Sequence, residues 1–190
     1  MTILGNEINK FISGYRVANH EEEVQKANIL IQKHPYEIEL LQTIGLLFAQ
    51  NKKIDDASLI FKKILDIDPL NVDTLINMGI ACYELNKLAQ AIKYLEKVKN
   101  LNIRQDEVYF NLGLIYEKNK NLIKAVSQYK QSIKHNPNNL NSLINLGNIY
   151  LQNQEYDSAK IIFEKTIILR PGDPNLYHNL GVVLTKLNNF

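Results

Sequence analysis

The chain has 190 residues, 45% of them hydrophobic, and a net charge of +2 from 22 basic and 20 acidic side chains spread along its length. That apolar content suffices for a continuous core and argues against disorder, while the lack of any basic block argues against nucleic acid as a partner. No apolar run approaches the roughly 20 residues of a bilayer span, the start MTILGNEINKF lacks the regions of a signal peptide, and Cys82 is a lone cysteine, so the expectation is a soluble, cytoplasmic chain with no membrane insertion.

One step organises everything that follows. Gly45, Gly79, Gly113, Gly147 and Gly181 are each 34 residues apart, without insertion or deletion. Ala57, Ala91, Ala125 and Ala159 keep the same step, as do Pro35, Pro69, Pro137 and Pro171, with Ile103 in the one slot where proline is missing. Three residue types in one register identify an internal repeat.

Taken along the chain, residues 1–37 form an atypical capping hairpin: Pro35 keeps register, but Phe11 stands in the glycine slot and Glu23 in the alanine slot. Residues 38–71 place Leu41, Ile44 and Phe48 four before, one before and three after Gly45, the spacing of one helix face, followed by Ala57 and Phe61 on a second helix. Residues 72–105 repeat the pattern with Gly79, Ala91 and Leu95. Residues 106–139 carry Tyr109, Leu112 and Tyr116 around Gly113, then Ala125 and Tyr129, and residues 140–173 carry Leu143, Leu146 and Tyr150 around Gly147, then Ala159 and Phe163. Residues 174–190 supply only a first helix, around Gly181.

Polar breaks such as Asn51-Lys52-Lys53, Asn119-Lys120-Asn121 and Asn153-Gln154-Glu155 separate the two helices of a period, and the proline ends the second or starts the next. The unit is a helix-turn-helix hairpin and the fold class is all-α. Glycine and alanine at facing slots would let the two helices approach closely, offsetting the roughly 1 kcal/mol that glycine costs inside a helix.

This pattern of small, aromatic and proline residues at a 34-residue step resembles the tetratricopeptide repeat (TPR) family, well over residues 38–190 and more loosely over residues 4–37. The resemblance implies a right-handed superhelix, an α-solenoid of stacked hairpins whose first helices line a concave groove. It implies a non-catalytic protein- or peptide-binding scaffold that needs no cofactor. The recurrent NLG string is also similar to the repeat region that precedes the catalytic part of O-linked N-acetylglucosamine transferases, which leaves open a substrate-recognition arm of a larger enzyme such as a glycosyltransferase.

With about 100° per residue, we assign the groove to positions six, three and two before each glycine and one, four and five after it. Two before stand Thr43 and then Asn77, Asn111, Asn145 and Asn179, a ladder of carboxamides able to bond an extended peptide backbone, or else to bond neighbouring helices. Ile76, Phe110 and Ile144 stand three before, and Ile80, Leu114 and Asn148 one after, giving a largely apolar floor. Glu39, Asp73 and Glu107, six before, add acidic residues towards the amino-terminal half. The expected partner is a protein or extended peptide with apolar anchors and basic flanks. A terminal-carboxylate clamp is disfavoured, because no groove slot six, three or two before a glycine is basic.

No phosphate-cradling loop, nucleophile elbow or metal-ligand string occurs, and His20, His34, His135 and His178 fall in different periods, so neither catalysis nor a metal site is expected. Cys82 occupies the slot of Phe48 and Tyr116 and is expected to be a buried thiol. Lys93, Lys97, Lys124, Lys130, Lys134 and Lys160 give the second helices a solvated basic ridge. In the last segment Leu176, Leu180, Val183, Leu184 and Leu187 would present an uncovered apolar face, with Phe190 in the slot that opens a second helix. The expectation is a fragment of a longer chain or self-association through residues 174–190.

Overall fold

The computed structural model describes residues 3–15 and 19–188, and every regular element among them is a helix. They run α1 (Ile3–Gly14), α2 (His20–Lys33), α3 (Ile38–Gln50), α4 (Ile54–Ile67), α5 (Val72–Glu84), α6 (Leu88–Asn100), α7 (Gln105–Lys118), α8 (Leu122–His135), α9 (Leu140–Gln152), α10 (Tyr156–Leu169) and α11 (Pro174–Asn188). From α3 to α10 the glycine lies on the odd-numbered helix of each pair and the alanine on the even-numbered one. The chain divides into two compact units, residues 1–97 and 98–190, which are taken separately below.

The turns between paired helices share one construction. Lys52, Asn86, Lys120 and Gln154, themselves 34 residues apart, all have φ between 60° and 63° or close to it, at 63°, 60°, 59° and 63°. Around each, two backbone bonds close the helix end, as in Lys52 N to Ala49 O at 3.0 Å and Lys53 N to Phe48 O at 2.9 Å. This is the Schellman closure, here made without glycine. Asparagine side chains begin the helices that follow several turns: Asn71, Asn121 and Asn139 accept from the backbone N–H groups of Thr74, Lys124 and Ser142 at 3.0–3.1 Å.

The connections that hold proline close differently, with the C-cap N–H bonded four residues back, as for His34, Asp68, Asn136 and Arg170. Where Ile103 replaces proline, Asn102 N instead bonds Lys99 O, and both Asn102 and Arg104 are left-handed, with φ of 56° and 49°. Proline disfavours helical conformations in the residue before it, so its loss opens this turn to a different path.

Packing corrects one expectation. The repeat glycine meets chiefly the bulky side chain four residues beyond the alanine, although Gly79 also lies near the Ala91 carbonyl, 3.6 Å from where its Cβ would stand. In the first unit a Cβ built on Gly45 would lie 2.6 Å from the Phe61 ring, and one on Gly79 would lie 2.9 Å from Leu95. In the second unit the distances are 2.4 Å from Gly113 to the Tyr129 ring and 2.8 Å from Gly147 to the Phe163 ring. The alanines Ala57, Ala91, Ala125 and Ala159 are fully buried nearby, so small residues serve both helices while a ring or, at Leu95, a branched aliphatic side chain fills the gap.

In the first unit, α2 is tied to α4 through His20, whose Nε2 lies 2.7 Å from Asp56 Oδ2 and whose Nδ1 lies 3.0 Å from Tyr15 Oη. The same imidazole packs edge-on against Phe48, 5.1 Å between ring centres. Lys33, and after it His34 at the end of α2, bond Glu7, joining α1 to α2 and holding that carboxyl below its usual range. In the second unit, Ala125, Tyr129, Leu146, Ile149, Tyr150, Ala159, Phe163 and Val183 form one core.

Candidate functional site

Helix geometry decides which predicted groove residues are open. At 3.6 residues per turn, the slots three before and four after the glycine lie only about 60° and 40° round from it. These slots therefore lie at the edge between the packed flank and the open face, and their burial differs from repeat to repeat. Ile76, predicted as groove floor, is buried, with 1% of its surface exposed. Phe110 and Ile144, in the same slot, are half-buried, and Phe110 packs against the core with its ring centre 6.1 Å from that of Tyr129.

The slot one after the glycine, about 100° away, is more open. On the first unit Leu46 and Ile80 are 40% and 38% exposed. On the second, Leu114 and Asn148 are half-buried. Glu39 and Asp73 are exposed, whereas Glu107 is half-buried and paired with Arg104 at 2.5 Å, so its charge is already balanced.

The asparagine ladder is not a row of equivalent free amides. Asn77 is half-buried on α5. Asn111 is buried, its Nδ2 donating at 3.0 Å to the Glu107 carbonyl one turn back on its own helix, which removes it from an open surface. Thr43, in the same slot, bonds Glu39 O in the same way at 2.9 Å.

Asn145 and Asn179 make longer-range bonds. Asn145 Nδ2 donates to Tyr129 Oη at 3.1 Å, and Tyr129 Oη donates to Glu117 Oε2 at 2.7 Å. A phenol has one hydrogen; with that hydrogen on the Glu117 carboxylate, the oxygen can only accept from Asn145, which fixes the amide's orientation. Asn179 Nδ2 donates to Asn148 Oδ1 at 3.1 Å, linking α11 to α9. The Tyr129–Glu117 link was not foreseen; the signal for it was glutamate four after Gly113, on the flank that the wheel places beside the ring.

The remaining polar and reactive groups have packing roles. Cys82 is 4% exposed, and burial pushes its thiol up despite the opposing charge of Lys87. His135 stacks on Tyr109 with ring centres 5.5 Å apart. Among the described residues no cluster of three or more His, Cys, Asp or Glu is placed to hold a metal ion, and no helix is long and apolar enough to cross a membrane. On the second helices, Lys124 and Lys130 lie over the rings of Tyr116 and Tyr150 at 5.3 and 5.7 Å.

The face predicted on α11 is narrower than expected. Leu176 and Val183 are buried, Leu180 and Leu187 half-buried, and Leu184 is 39% exposed. A Cβ on Gly181 would meet nothing within 4 Å, so among the described residues this repeat glycine has no ring opposite it. Phe190 lies outside the described residues.

Three models of the tetratricopeptide repeat match, over residues 48–110, 107–139 and 128–161, together more than half of the chain. No individually curated protein matches at a significant level. Among solved structures, the chain is similar to a MamA protein at 26% identity, covering 80% of this chain and 82% of that one with a TM-score of 0.69. It is similar to a thermophilic TPR protein from Thermus thermophilus at 17% identity, covering 96% and 99% of the two chains with a TM-score of 0.68. It is also similar to YrrB, reported as a TPR protein with an unusual peptide-binding site, at 16% identity over 86% and 84% of the chains and a TM-score of 0.66. With a bulky side chain packed on the glycine of each hairpin from α3 to α10, these matches show that the chain is an α-solenoid of the tetratricopeptide repeat family.

Proposed function

We propose that the chain is a non-catalytic scaffold that binds an extended, apolar-anchored peptide on the first-helix surface of its second unit. The observation that carries this reading is the coexistence there of half-open Phe110, Leu114 and Ile144 with the bonded amides of Asn145, Asn148 and Asn179. Each amide bond uses one of two Nδ2 hydrogens, and Asn145 and Asn179 keep their carbonyl oxygens on the other side. Holding these groups in place beforehand lowers the entropy lost when a peptide bonds to them.

Peptides selected from a displayed library against the whole chain test this. They should carry apolar anchors, and affinity measured by fluorescence anisotropy should fall at least about tenfold in Ile144→Ala/Asn148→Ala, the scale of a lost apolar contact plus a hydrogen bond. Unchanged affinity at unchanged helicity would remove this surface from consideration. A second reading, self-association through α11, is favoured by the empty slot at Gly181 beside Leu184. Light scattering should then show mass rising with concentration, and a constant monomer mass would exclude it.

A further inference from the structure

Tyr129 carries a hydroxyl that its packing slot does not need. Phe61 and Phe163 fill the same slot against Gly45 and Gly147 with plain rings, and Leu95 fills it against Gly79 with no ring at all. The residue it bonds is equally exceptional. Four after the repeat glycine stand Ala49, Tyr83, Leu151 and Thr185, and only α7 puts a carboxylate there, Glu117. Both departures fall in one hairpin and meet, with Tyr129 Oη donating to Glu117 Oε2 at 2.7 Å.

This bond carries a group rooted on α8 through to the first helices. Tyr129 is fully buried, yet its oxygen also accepts from Asn145 on α9, so phenol, carboxylate and amide converge between α7 and α9. Glu117 is half-buried and continues the line of Phe110 and Leu114, seven and three residues before it, which is one stripe of α7. The phenol thus holds a charged end group beside the apolar residues instead of leaving it to exchange among rotamers.

The pairing of Glu117 is incomplete. A carboxylate offers about four acceptor sites on its two oxygens, and among the described residues Glu117 is bonded by Tyr129 alone. Its Oε1 has no partner among them and, on a half-buried side chain, is not enclosed. The other carboxylates on the first helices of this unit are engaged: Asp106 accepts from Asn136 at 3.0 Å, and Glu107 is paired with Arg104. Glu117 is the charge this surface presents outward, held in place but not neutralised.

We propose that Glu117 sets the specificity of the peptide surface on the second unit, selecting peptides that carry a lysine or arginine within two residues of the apolar anchor. The inference rests on the peptide-binding reading given above. Leu114 and Glu117 are three residues apart on α7, about 4.5 Å of rise, which is less than two residues of extended peptide. A cation paired there with Oε1 is less screened than on an open surface, and the fixed carboxylate loses little entropy on pairing.

The test selects peptides from a displayed random library against the whole chain and against Glu117→Gln, which keeps an acceptor for Tyr129 Oη and removes only the charge. Peptides taken by the unsubstituted chain should be enriched in lysine or arginine within two residues of an apolar side chain. Those taken by the variant should keep the apolar residue and lose the enrichment. One selected peptide, and its copy with norleucine in place of the basic residue, are then measured by fluorescence anisotropy on both proteins at equal helicity. The norleucine copy should bind the unsubstituted chain about fivefold more weakly, the scale of an ion pair, and should bind Glu117→Gln as its parent does. A second variant, Glu117→Leu/Tyr129→Phe, recreates the Leu151 and Phe163 pair of the next hairpin and should behave as the glutamine variant does. Apolar peptides without basic enrichment, or a norleucine penalty that persists in both variants, would overturn this inference and leave the peptide surface standing. Selection of no peptide, or binding indifferent to Ile144→Ala/Asn148→Ala, would overturn both.

Discussion

Gly113 shows how a single hydrogen in place of a methyl group decides whether two helices can close. Its slot is filled by Tyr129, which is fully buried and anchored at its hydroxyl by Glu117 and Asn145, so the ring cannot step aside. Gly113→Ala would place Cβ 2.4 Å from that ring and should destabilise the chain by roughly 1–3 kcal/mol through overpacking, despite alanine's better helix propensity. Gly181→Ala meets nothing within 4 Å and should instead stabilise by up to about 1 kcal/mol. Thermal melts of the two variants should move in opposite directions, and a shared direction would show that ring packing is not what selects glycine. The periodic glycine was visible in the sequence; its opposite number was not, because register reveals which residues recur but not which recurring residues meet across a hairpin.

Among the helices, the turns carry a latent strain that composition conceals. Four left-handed positions in one register hold Lys52, Asn86, Lys120 and Gln154, where the closure they make favours glycine. Left-handed backbone costs an L-residue roughly 1–2 kcal/mol, least for asparagine. Gln154→Gly should therefore raise stability by about 1 kcal/mol and the melting temperature by roughly 2–4 °C, while Asn86→Gly should gain less. Melting curves that fall or coincide for Gln154→Gly would contradict the left-handed assignment. The sequence marked these segments as polar breaks but held no glycine to announce a positive φ. The prolines were more legible, since the departure at Ile103 coincides with the one connection that turns differently.

At the scale of the molecule, the all-α hairpin architecture was legible because three residue types shared a single step, and each type answers to a distinct physical demand. The candidate surface was legible only in part. Ile76 and Asn111 were assigned to an open face; one sits in a slot at the edge of that face and is buried, and the other is withdrawn by a back-bond to Glu107 that no periodicity encodes. The ladder residues farther along, Asn145 and Asn179, kept longer-range partners that depend on Tyr129 and Asn148, and such pairings emerge only when helices are placed side by side.

The uninterrupted 34-residue step also makes length a quantised property of this chain. Removing residues 112–145 joins Asn111 to Leu146 and leaves every later side chain in an equivalent slot, whereas removing residues 112–144 turns everything beyond the join by about 100°. Circular dichroism should show the first deletion melting cooperatively with helix content per residue near that of the whole chain, and the second losing both. If the two behaved alike, helical phase would not govern assembly. If they differ as expected, duplication or loss of one hairpin is a tolerated genetic event, and the number of copies can change while the rules that fold each copy stay the same.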